Sequence, residues 1–272
     1  MNEKRINWAI AGAIAALYLV TVVSGLHIKS LRLFYAPEAS KRKLPWHPPE
    51  KGSIPAGEEG ENIRRGMQIF NDTSLYAPHY TQARVNCGSC HADGGIQPYA
   101  APMVGATGHF PMYSKRAGHV ISLYDRIEEC FVRSENGRPV PHDAPEMKAL
   151  VDYIGWLSTP QRNNLPFSGS GLALLEELKP DAKRGERIFG EQCAGCHGAH
   201  GEGSAPTYPP LWGPDSFNDG AGMYNVRKLA SFVQHNMPQN RMGSLTPQEA
   251  FDVAAFIHRQ PRPHFDEAFS EY

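Results

Sequence analysis

The pentapeptide CGSCH, Cys87 to His91, recurs later in the chain as CAGCH, Cys193 to His197. The pattern Cys-x-x-Cys-His is typical of the attachment site of a c-type haem. Two thiols three positions apart reach the two vinyl groups of one porphyrin, and the following histidine then lies under the iron as an axial ligand. The sequence therefore predicts two covalently bound haem c groups, with cofactor-binding residues Cys87, Cys90, His91, Cys193, Cys196 and His197.

Other uses of paired cysteines match the sequence less well. The cysteine pairs of a zinc ribbon lie within roughly 15–20 residues of each other, whereas these two pairs lie far apart and each has its own histidine. A thioredoxin-like redox motif needs a βαβ context, which the sequence does not show. Because haem c is attached outside the cytoplasm, the motifs also predict that the chain faces the periplasm.

The flanks of the two motifs form an internal repeat. The segment RRGMQIF (Arg64–Phe70) matches KRGERIF (Lys183–Phe189), and each precedes its haem motif. The segment PEMKALVDYIGWL (Pro145–Leu157) matches QEAFDVAAFIHRQ (Gln248–Gln260), with apolar residues at helical spacing. Each unit therefore consists of an opening helix, a haem motif, loops and a closing helix.

This order resembles that of class I cytochrome c domains, two in tandem, and implies a mainly α fold. Frequent glycine and proline, 26 and 23 residues, match the long loops that wrap the haem in such domains. We expect Gly66 and Gly185 to let each opening helix approach its closing helix closely. The predicted boundaries are a membrane or signal segment (1–28), an extended arm (29–56), a first unit (57–158), a linker (159–180), a second unit (181–265) and a tail (266–272).

The N-terminus carries an uncharged apolar stretch, Trp8 to Leu26. As a helix it would be about 28 Å long, near the thickness of a bilayer core. It is longer than the apolar core of most signal peptides, which favours an uncleaved anchor over a cleaved signal. The basic residues between Lys29 and Lys43 disfavour an external position for the chain that follows, but haem attachment requires it. We therefore expect the protein on the periplasmic side of the bacterial inner membrane.

The repeat suggests which side chains bind the irons opposite His91 and His197. Met237 follows His197 by 40 residues, and Cys130 follows His91 by 39. Methionine sulfur is a common haem c ligand, so Met237 is the preferred ligand in the second unit. The remaining candidates there are Met242, as runner-up, then Met223 and His235; in the first unit they are Met103, Met112, Met147, His109 and His119.

Cys130 is the fifth cysteine of a chain whose other four belong to the haem motifs. A buried, inert thiol is one interpretation, since unpaired cysteines are often buried. A lone thiol is, however, unusual in an oxidising compartment. Its place in the repeat instead predicts that Cys130 is an iron ligand, so the predicted metal ligands are His91, Cys130, His197 and Met237.

The stretch LYDRIEECFVRSENGRPVPHDAPEMKALVDYIGWLS, Leu123 to Ser158, resembles the first-haem domain of the dihaem thiosulfate dehydrogenases, which form tetrathionate. The resemblance covers roughly residues 55–265 and implies that the first haem, with His/Cys ligation, is the active site. It implies a second haem with histidine and methionine, or lysine in some states, that passes electrons on. Asn236 precedes Met237 here, which puts the lysine alternative in doubt.

The same resemblance places substrate-site roles on Arg116, Arg126 and Ser134, beside Cys130 as the reactive thiol. Thiosulfate is a dianion, and the arginine fork donates paired hydrogen bonds to such oxyanions. Lys115 and Arg133 add further positive charge nearby in the sequence. The alternative interpretation of these residues is an ordinary solvated surface.

We therefore expect a periplasmic dihaem enzyme that oxidises two thiosulfate ions to tetrathionate and delivers electrons to a cytochrome, a high-potential carrier or an oxidase. One alternative is a membrane-anchored dihaem electron carrier without substrate chemistry. Another is a thiosulfate-conjugating cytochrome of the multi-protein sulfur-oxidation system. The formal net charge of −1 gives no reason to expect nucleic acid as a partner.

Overall fold

The computed structural model describes residues 45–161, 167–204 and 206–272. The predicted membrane or signal stretch, Trp8 to Leu26, lies outside these ranges. Among the described residues, no helix combines the length and the apolar character needed to cross a bilayer.

The described chain is mainly helical, as expected, and its one sheet is a small antiparallel hairpin with Tyr113 opposite Val120. The α-helices are α1 (Gly57–Asn71), α2 (Thr73–Tyr76), α3 (Cys87–Cys90), α4 (Ala92–Gly95), α5 (Leu123–Arg133), α6 (Pro145–Leu157), α7 (Ala182–Gln192), α8 (Ala194–His197), α9 (Val226–Asn236) and α10 (Pro247–His258). The strands are β1 (Met112–Ser114) and β2 (His119–Ile121). Short 3₁₀ turns cover Lys51–Ser53, Ala106–His109, Thr159–Gln161, Gly222–Tyr224, Gln239–Arg241 and Glu267–Phe269.

In the first unit, the opening helix α1 crosses the closing helix α6 at Gly66. A Cβ atom at this position would lie 1.9 Å from the carbonyl oxygen of Ala149 and 2.7 Å from Cβ of Tyr153, so only glycine fits without a shift of the helices. Beyond the crossing, Phe70 packs edge-on against Tyr153 at 5.4 Å between ring centroids. The predicted close approach is confirmed here.

The second unit repeats this crossing between α7 and α10 at Gly185. A Cβ atom there would lie 2.0 Å from the carbonyl oxygen of Asp252. Phe189 and Phe256, which correspond in the repeat to Phe70 and Tyr153, pack at 5.4 Å, and Trp212 joins them at 5.0 Å from Phe189. The repeat therefore preserves both the helix crossing and the aromatic pair behind it.

The two units contact each other through loops on the haem-motif side and at the end of α5. Main-chain N–H of Arg84 donates to the carbonyl of Asp215 at 2.7 Å, and the buried amide of Asn218 donates to the carbonyl of Val132 at 2.8 Å. The guanidinium of Arg133 lies over the ring of Phe265, 3.9 Å from its centroid. Main-chain carbonyls and a buried amide thus fix the second unit against the helix that carries Cys130.

Candidate functional site

The first haem motif lies on the short helix α3, whose start is fixed by Asn86. The Asn86 side chain accepts a hydrogen bond from the main-chain N–H of Thr73 at 2.9 Å. The main-chain N–H of Asn86 donates to the Ser89 hydroxyl at 3.0 Å. Helix α1 ends next to this turn, and Cys87 packs against the hydrophobic core of the first unit. The cysteine pair is therefore held by core packing as well as by the cap.

Both motif histidines are oriented in the same way. Nδ1 of His91 is 2.6 Å from the carbonyl oxygen of Ala101, and Nδ1 of His197 is 2.9 Å from that of Pro209. A carbonyl oxygen can only accept a hydrogen bond, so Nδ1 carries the proton and Nε2 keeps its lone pair. This is the arrangement that a histidine ligand needs, with its second nitrogen held by a main-chain carbonyl.

Burial sets the protonation of these groups. Desolvation lowers the pKa of His91 to about 4 and lowers that of His197, so both imidazoles stay neutral at ordinary pH. Burial raises the pKa of the Cys90 thiol to about 12 and that of Cys87 well above its usual value. A neutral imidazole beside a pair of cysteine sulfurs suits covalently attached haem, and the residues at both motifs fit that group.

Cys130 lies on α5, which begins at a complete capping box. The Ser122 hydroxyl accepts from the Asp125 N–H at 3.3 Å, and the Asp125 carboxylate accepts from the Ser122 N–H at 2.7 Å. Within the helix, Nη1 of Arg126 donates to Sγ of Cys130 at 3.0 Å, one turn apart. After burial and Glu135, the charge of Cys130 is among the causes that raise the pKa of Cys87 and Cys90, so Cys130 lies in the neighbourhood of the first haem motif.

Arg116 and Arg126 come together at a buried carboxylate that the sequence did not point to. Oε2 of Glu129 lies 3.3 Å from Nη1 of Arg126 and 4.0 Å from Nη1 of Arg116, while its Oε1 is buried and has no hydrogen-bond partner within the described ranges. Arg116 reaches this point from the turn between β1 and β2, where Gly118 N–H donates to Ser114 O at 2.9 Å. Interaction with Cys130 is the main cause that raises the pKa of Arg126. Two cations and one carboxylate leave a net positive cluster beside the sulfur.

The other basic residues and the serine take different places. Lys115 is exposed in the hairpin turn, and Arg133 is buried at the contact between the units, where its Nε donates to the carbonyl of Tyr272 at 3.2 Å. Burial and the charge of Arg116 lower the pKa of Arg133. Ser134 caps the C-terminus of α5 one turn after Cys130, with its N–H donating to the Cys130 carbonyl at 2.7 Å. Arg133 therefore serves packing, while Ser134 stays next to the candidate site.

Met237 follows the last residue of α9 and packs, partly buried, against the core of the second unit. Met242 is 49% exposed, and its sulfur accepts a hydrogen bond from the side-chain amide of Gln97 at 3.6 Å. His235 bonds through Nδ1 to the carbonyl of Ser231 at 3.0 Å on its own helix. Of these candidates, Met237 has the surroundings expected of a ligand beside an apolar haem pocket.

Sequence reasoning missed three groups around the sites. Glu129 directly precedes Cys130, and the main-chain N–H of Glu135 donates to the Cys130 carbonyl at 3.0 Å. Both glutamates are buried, and desolvation raises the pKa of Glu135 well above its usual value. The third is the main-chain carbonyl of Tyr99, which accepts from the amide of Asn236 at 3.3 Å. Adjacency to Cys130 could have drawn attention to Glu129, but no local pattern indicates a contact between residues 137 positions apart.

Two helical units, each with an oriented histidine, a cysteine pair and a glycine crossing, define a cytochrome c with two such domains. The family model for cytochrome c matches residues 182–260, and the model for the SoxA/TsdA cytochrome c domain matches residues 72–161. Thiosulfate dehydrogenase from Allochromatium vinosum is 40% identical over 229 residues, which cover 80% of this chain and 85% of that protein. Thiosulfate dehydrogenase from Psychrobacter arcticus is 39% identical over 221 residues, covering 79% and 68% of the two chains.

A solved structure agrees with these relatives. Thiosulfate dehydrogenase (TsdBA) from Marichromatium purpuratum, in its as-isolated form, superposes with a TM-score of 0.76 and 36% identity over 84% of this chain. The match covers 51% of that longer chain, so the present chain spans half of it. The chain belongs to the thiosulfate dehydrogenase family, and it is an enzyme of the cytochrome c oxidoreductase type.

Proposed function

We propose that this chain oxidises two thiosulfate ions to tetrathionate at Cys130 in the first unit and passes the electrons through the second unit. The observation that carries this proposal is the 3.0 Å hydrogen bond from Arg126 to the Cys130 sulfur, with Arg116 on the same carboxylate, Glu129, as Arg126. A bare electron carrier has no need for a thiol within an arginine cluster. Family membership supports the same substrate.

The positive cluster supplies what the reaction needs before any bond forms. Two thiosulfate dianions repel each other, and their sulfurs approach only if nearby cations offset the charge. Arg116 and Arg126 both lie within 4.0 Å of one oxygen of Glu129, which keeps the two guanidinium groups near each other and leaves them donors for a sulfonate. Ser134, one turn beyond Cys130, adds a hydroxyl that can donate one more hydrogen bond.

The proposed ligand pairs are His91 with Cys130 and His197 with Met237. Thiolate ligation lowers and methionine ligation raises the potential of a haem, so the gradient runs from the first unit to the second. When bound, the two haems take up one electron each, which matches the two electrons released per tetrathionate. Met242 remains the runner-up to Met237, and its sulfur already accepts a hydrogen bond from the side-chain amide of Gln97 at 3.6 Å.

Cys130 also has the chemistry for a covalent step. Once released from iron, its thiolate would join the outer sulfur of one thiosulfate to give a Cys–S–S–SO₃⁻ adduct, and the two electrons released would pass to bound haem, one at each motif. The outer sulfur of a second thiosulfate then attacks the adduct, forms the central S–S bond of tetrathionate and returns the thiolate. No proton is exchanged, so both steps balance in atoms and charge. Arg126, which donates to this sulfur, would stabilise the thiolate as leaving group.

We further propose a location on the periplasmic side of the inner membrane, with the N-terminal stretch as anchor, and a cytochrome, high-potential carrier or oxidase as electron acceptor. The haem motifs support the location, because haem c is attached outside the cytoplasm. The membership of the dehydrogenase family favours a self-contained enzyme over a thiosulfate-conjugating cytochrome that needs carrier-protein partners.

The test compares oxidised wild-type holoprotein with Cys130→Ala by EPR and by thiosulfate-dependent haem reduction. We expect a low-spin thiolate signal in wild type that is absent in Cys130→Ala, together with loss of reduction by thiosulfate. Tetrathionate formed by wild type should account for the electrons taken up. Retained turnover in Cys130→Ala would rule out Cys130 as the reactive thiol. Identical spectra, with no reduction by thiosulfate in either protein, would leave the simple electron carrier as the better explanation.

A further inference from the structure

The short segment from Gln97 to Ala101 contacts both ligand environments at once. At one end, the carbonyl of Ala101 holds Nδ1 of His91 at 2.6 Å in the first unit. Two residues earlier, the carbonyl of Tyr99 accepts from the side-chain amide of Asn236, at 3.3 Å, in the second unit. Asn236 directly precedes Met237. The segment is therefore a continuous connection between the two candidate haem sites.

The backbone of this segment is held in an unfavourable conformation. Tyr99 and Ala101 have φ angles of 62° and 46°, in the left-handed region that residues with a Cβ atom rarely adopt. Their N–H groups donate to the carbonyls of Gly169 and Gly171 at 2.8 and 3.0 Å, which hold the segment against the linker. Such strain persists only where surrounding contacts over-determine it, and it is concentrated at functional positions.

Asn236 makes this contact from a buried position at the end of α9. It is the last residue of α9 and only 2% exposed, and its amide donates to the carbonyls of both Tyr99 and Phe232. Its Oδ1 is buried with no partner among the described residues, which is a cost that an apolar side chain would avoid. The ring of Tyr99 also packs on His235, at 5.1 Å between centroids. The two donated bonds therefore fix the point where the chain leaves the helix towards Met237.

We infer that Asn236 is a positioning residue for the Met237 ligand, and that the first unit, through Tyr99, supplies the anchor on which Asn236 depends. The inference rests on the proposed function in one respect, namely that Met237 is the ligand of the second haem. It adds that a residue of the first unit, Tyr99, helps to hold this ligand of the second unit in place. Mutation of a group that orients a metal ligand typically lowers metal affinity or activity about 10- to 100-fold.

The experiment uses oxidised full-length holoprotein and added imidazole, which competes with methionine for the iron. The near-infrared band of a methionine–iron(III) bond reports how much methionine remains bound. We expect Asn236→Ala to lose this band at about a tenfold lower imidazole concentration than wild type. The matched control is Asn240→Ala, which changes an exposed asparagine just beyond Met237 and should titrate like wild type.

A second variant tests the contribution from across the contact. Tyr99→Ala leaves the second unit unaltered but removes the ring that packs on His235. We expect it to shift the imidazole titration in the same direction as Asn236→Ala, by a smaller factor, with an unchanged EPR signal from the first haem. That unchanged signal also shows that the variant holoproteins are folded.

The outcomes separate the two hypotheses. If Met237→Ala keeps the near-infrared band of wild type, Met237 is not the ligand of the second haem, and this inference fails with it. In the other case, Met237→Ala abolishes the band, but Asn236→Ala and Tyr99→Ala lose it at the same imidazole concentration as wild type. That result would overturn the positioning role alone.

Discussion

Cys130 and Met237 occupy equivalent places along the repeat, but the two units hold them differently. Cys130 lies inside the last turns of α5, where Arg126 on the same helix donates to its sulfur. Met237 lies one residue beyond α9, and the preceding residue is tied to the other unit by a neutral amide. The proposed reaction site and the proposed relay therefore differ in the charge around the candidate ligand and not in the order of their helices.

The largest effect is expected when the two proposed ligands are exchanged. We expect Cys130→Met to reduce thiosulfate-dependent haem reduction to background, because a thioether is neither a thiolate ligand nor a nucleophile. The potential of the first haem should rise at the same time. Turnover and redox titration of the variant measure both effects.

The reverse exchange is the control. Met237→Cys places a thiol against the apolar core of the second unit, and the described residues show no arginine cluster there like the one at Cys130. It should therefore not create a second thiosulfate site. Robust turnover by a Cys130→Met, Met237→Cys double variant would show that the surroundings of Cys130 are not what makes the site.

The next largest effect should come from the two arginines. A hydrogen bond to a charged group contributes roughly 1.5–3 kcal/mol, so Arg126→Met and Arg116→Met should each lower kcat/KM about 10- to 100-fold. Only Arg126→Met should also change the EPR signal of the first haem, because only Arg126 donates to Cys130. Steady-state kinetics and EPR on the same samples test the distinction.

Exposed Arg259 in the second unit provides the control for these arginines. Arg259→Met changes the net charge equally but lies away from the cluster, and its kcat/KM should stay near wild type. An equal loss in all three variants would mean that the protein attracts thiosulfate by its overall charge and has no built anion site.

The two glycine crossings test whether the units are structurally equivalent. Gly66→Ala and Gly185→Ala each place a methyl group about 2 Å from a facing carbonyl oxygen, and overpacking of this kind costs roughly 1–3 kcal/mol. Both variants should therefore lower the urea midpoint of unfolding by similar amounts.

Gly155 and Gly190 are the matched controls, since a Cβ atom at either position meets nothing within 4 Å. Alanine there should stabilise its helix by roughly 0.5–1 kcal/mol. If Gly66→Ala had a urea midpoint as high as that of Gly155→Ala, the close crossing would not determine stability.

The sequence was sufficient for features that depend on local spacing. The haem motifs, the order of helices in each unit and the two glycine crossings follow from patterns of a few residues, and the structure has all of them. It was not sufficient for contacts set by the packing of distant segments. The buried carboxylate of Glu129 between Arg116 and Arg126, and the bond from Asn236 to Tyr99, depend on a hairpin and on a contact between units that leave no periodic pattern.

The smallest predicted difference between the units concerns acid stability. In the second unit, buried Asp252 receives hydrogen bonds from Arg184, from the N–H of Asp181 and from Gln248. Burial alone would raise the pKa of Asp252, but these bonds outweigh it and hold the pKa below its ordinary value. The corresponding position in the first unit is Ala149, which offers no carboxylate.

A carboxylate whose folded pKa is lowered adds stability above its unfolded pKa, about 4, and this stability is lost as the pH falls through the folded pKa. We therefore expect the urea midpoint of wild type to fall more steeply below about pH 4 than that of Asp252→Asn, whose side chain does not titrate. Glu146→Gln is the control in the first unit, because its ion pair with the half-exposed Arg65 lies at the surface and contributes little. Equal slopes for wild type and Asp252→Asn would show that Asp252 does not contribute to acid sensitivity.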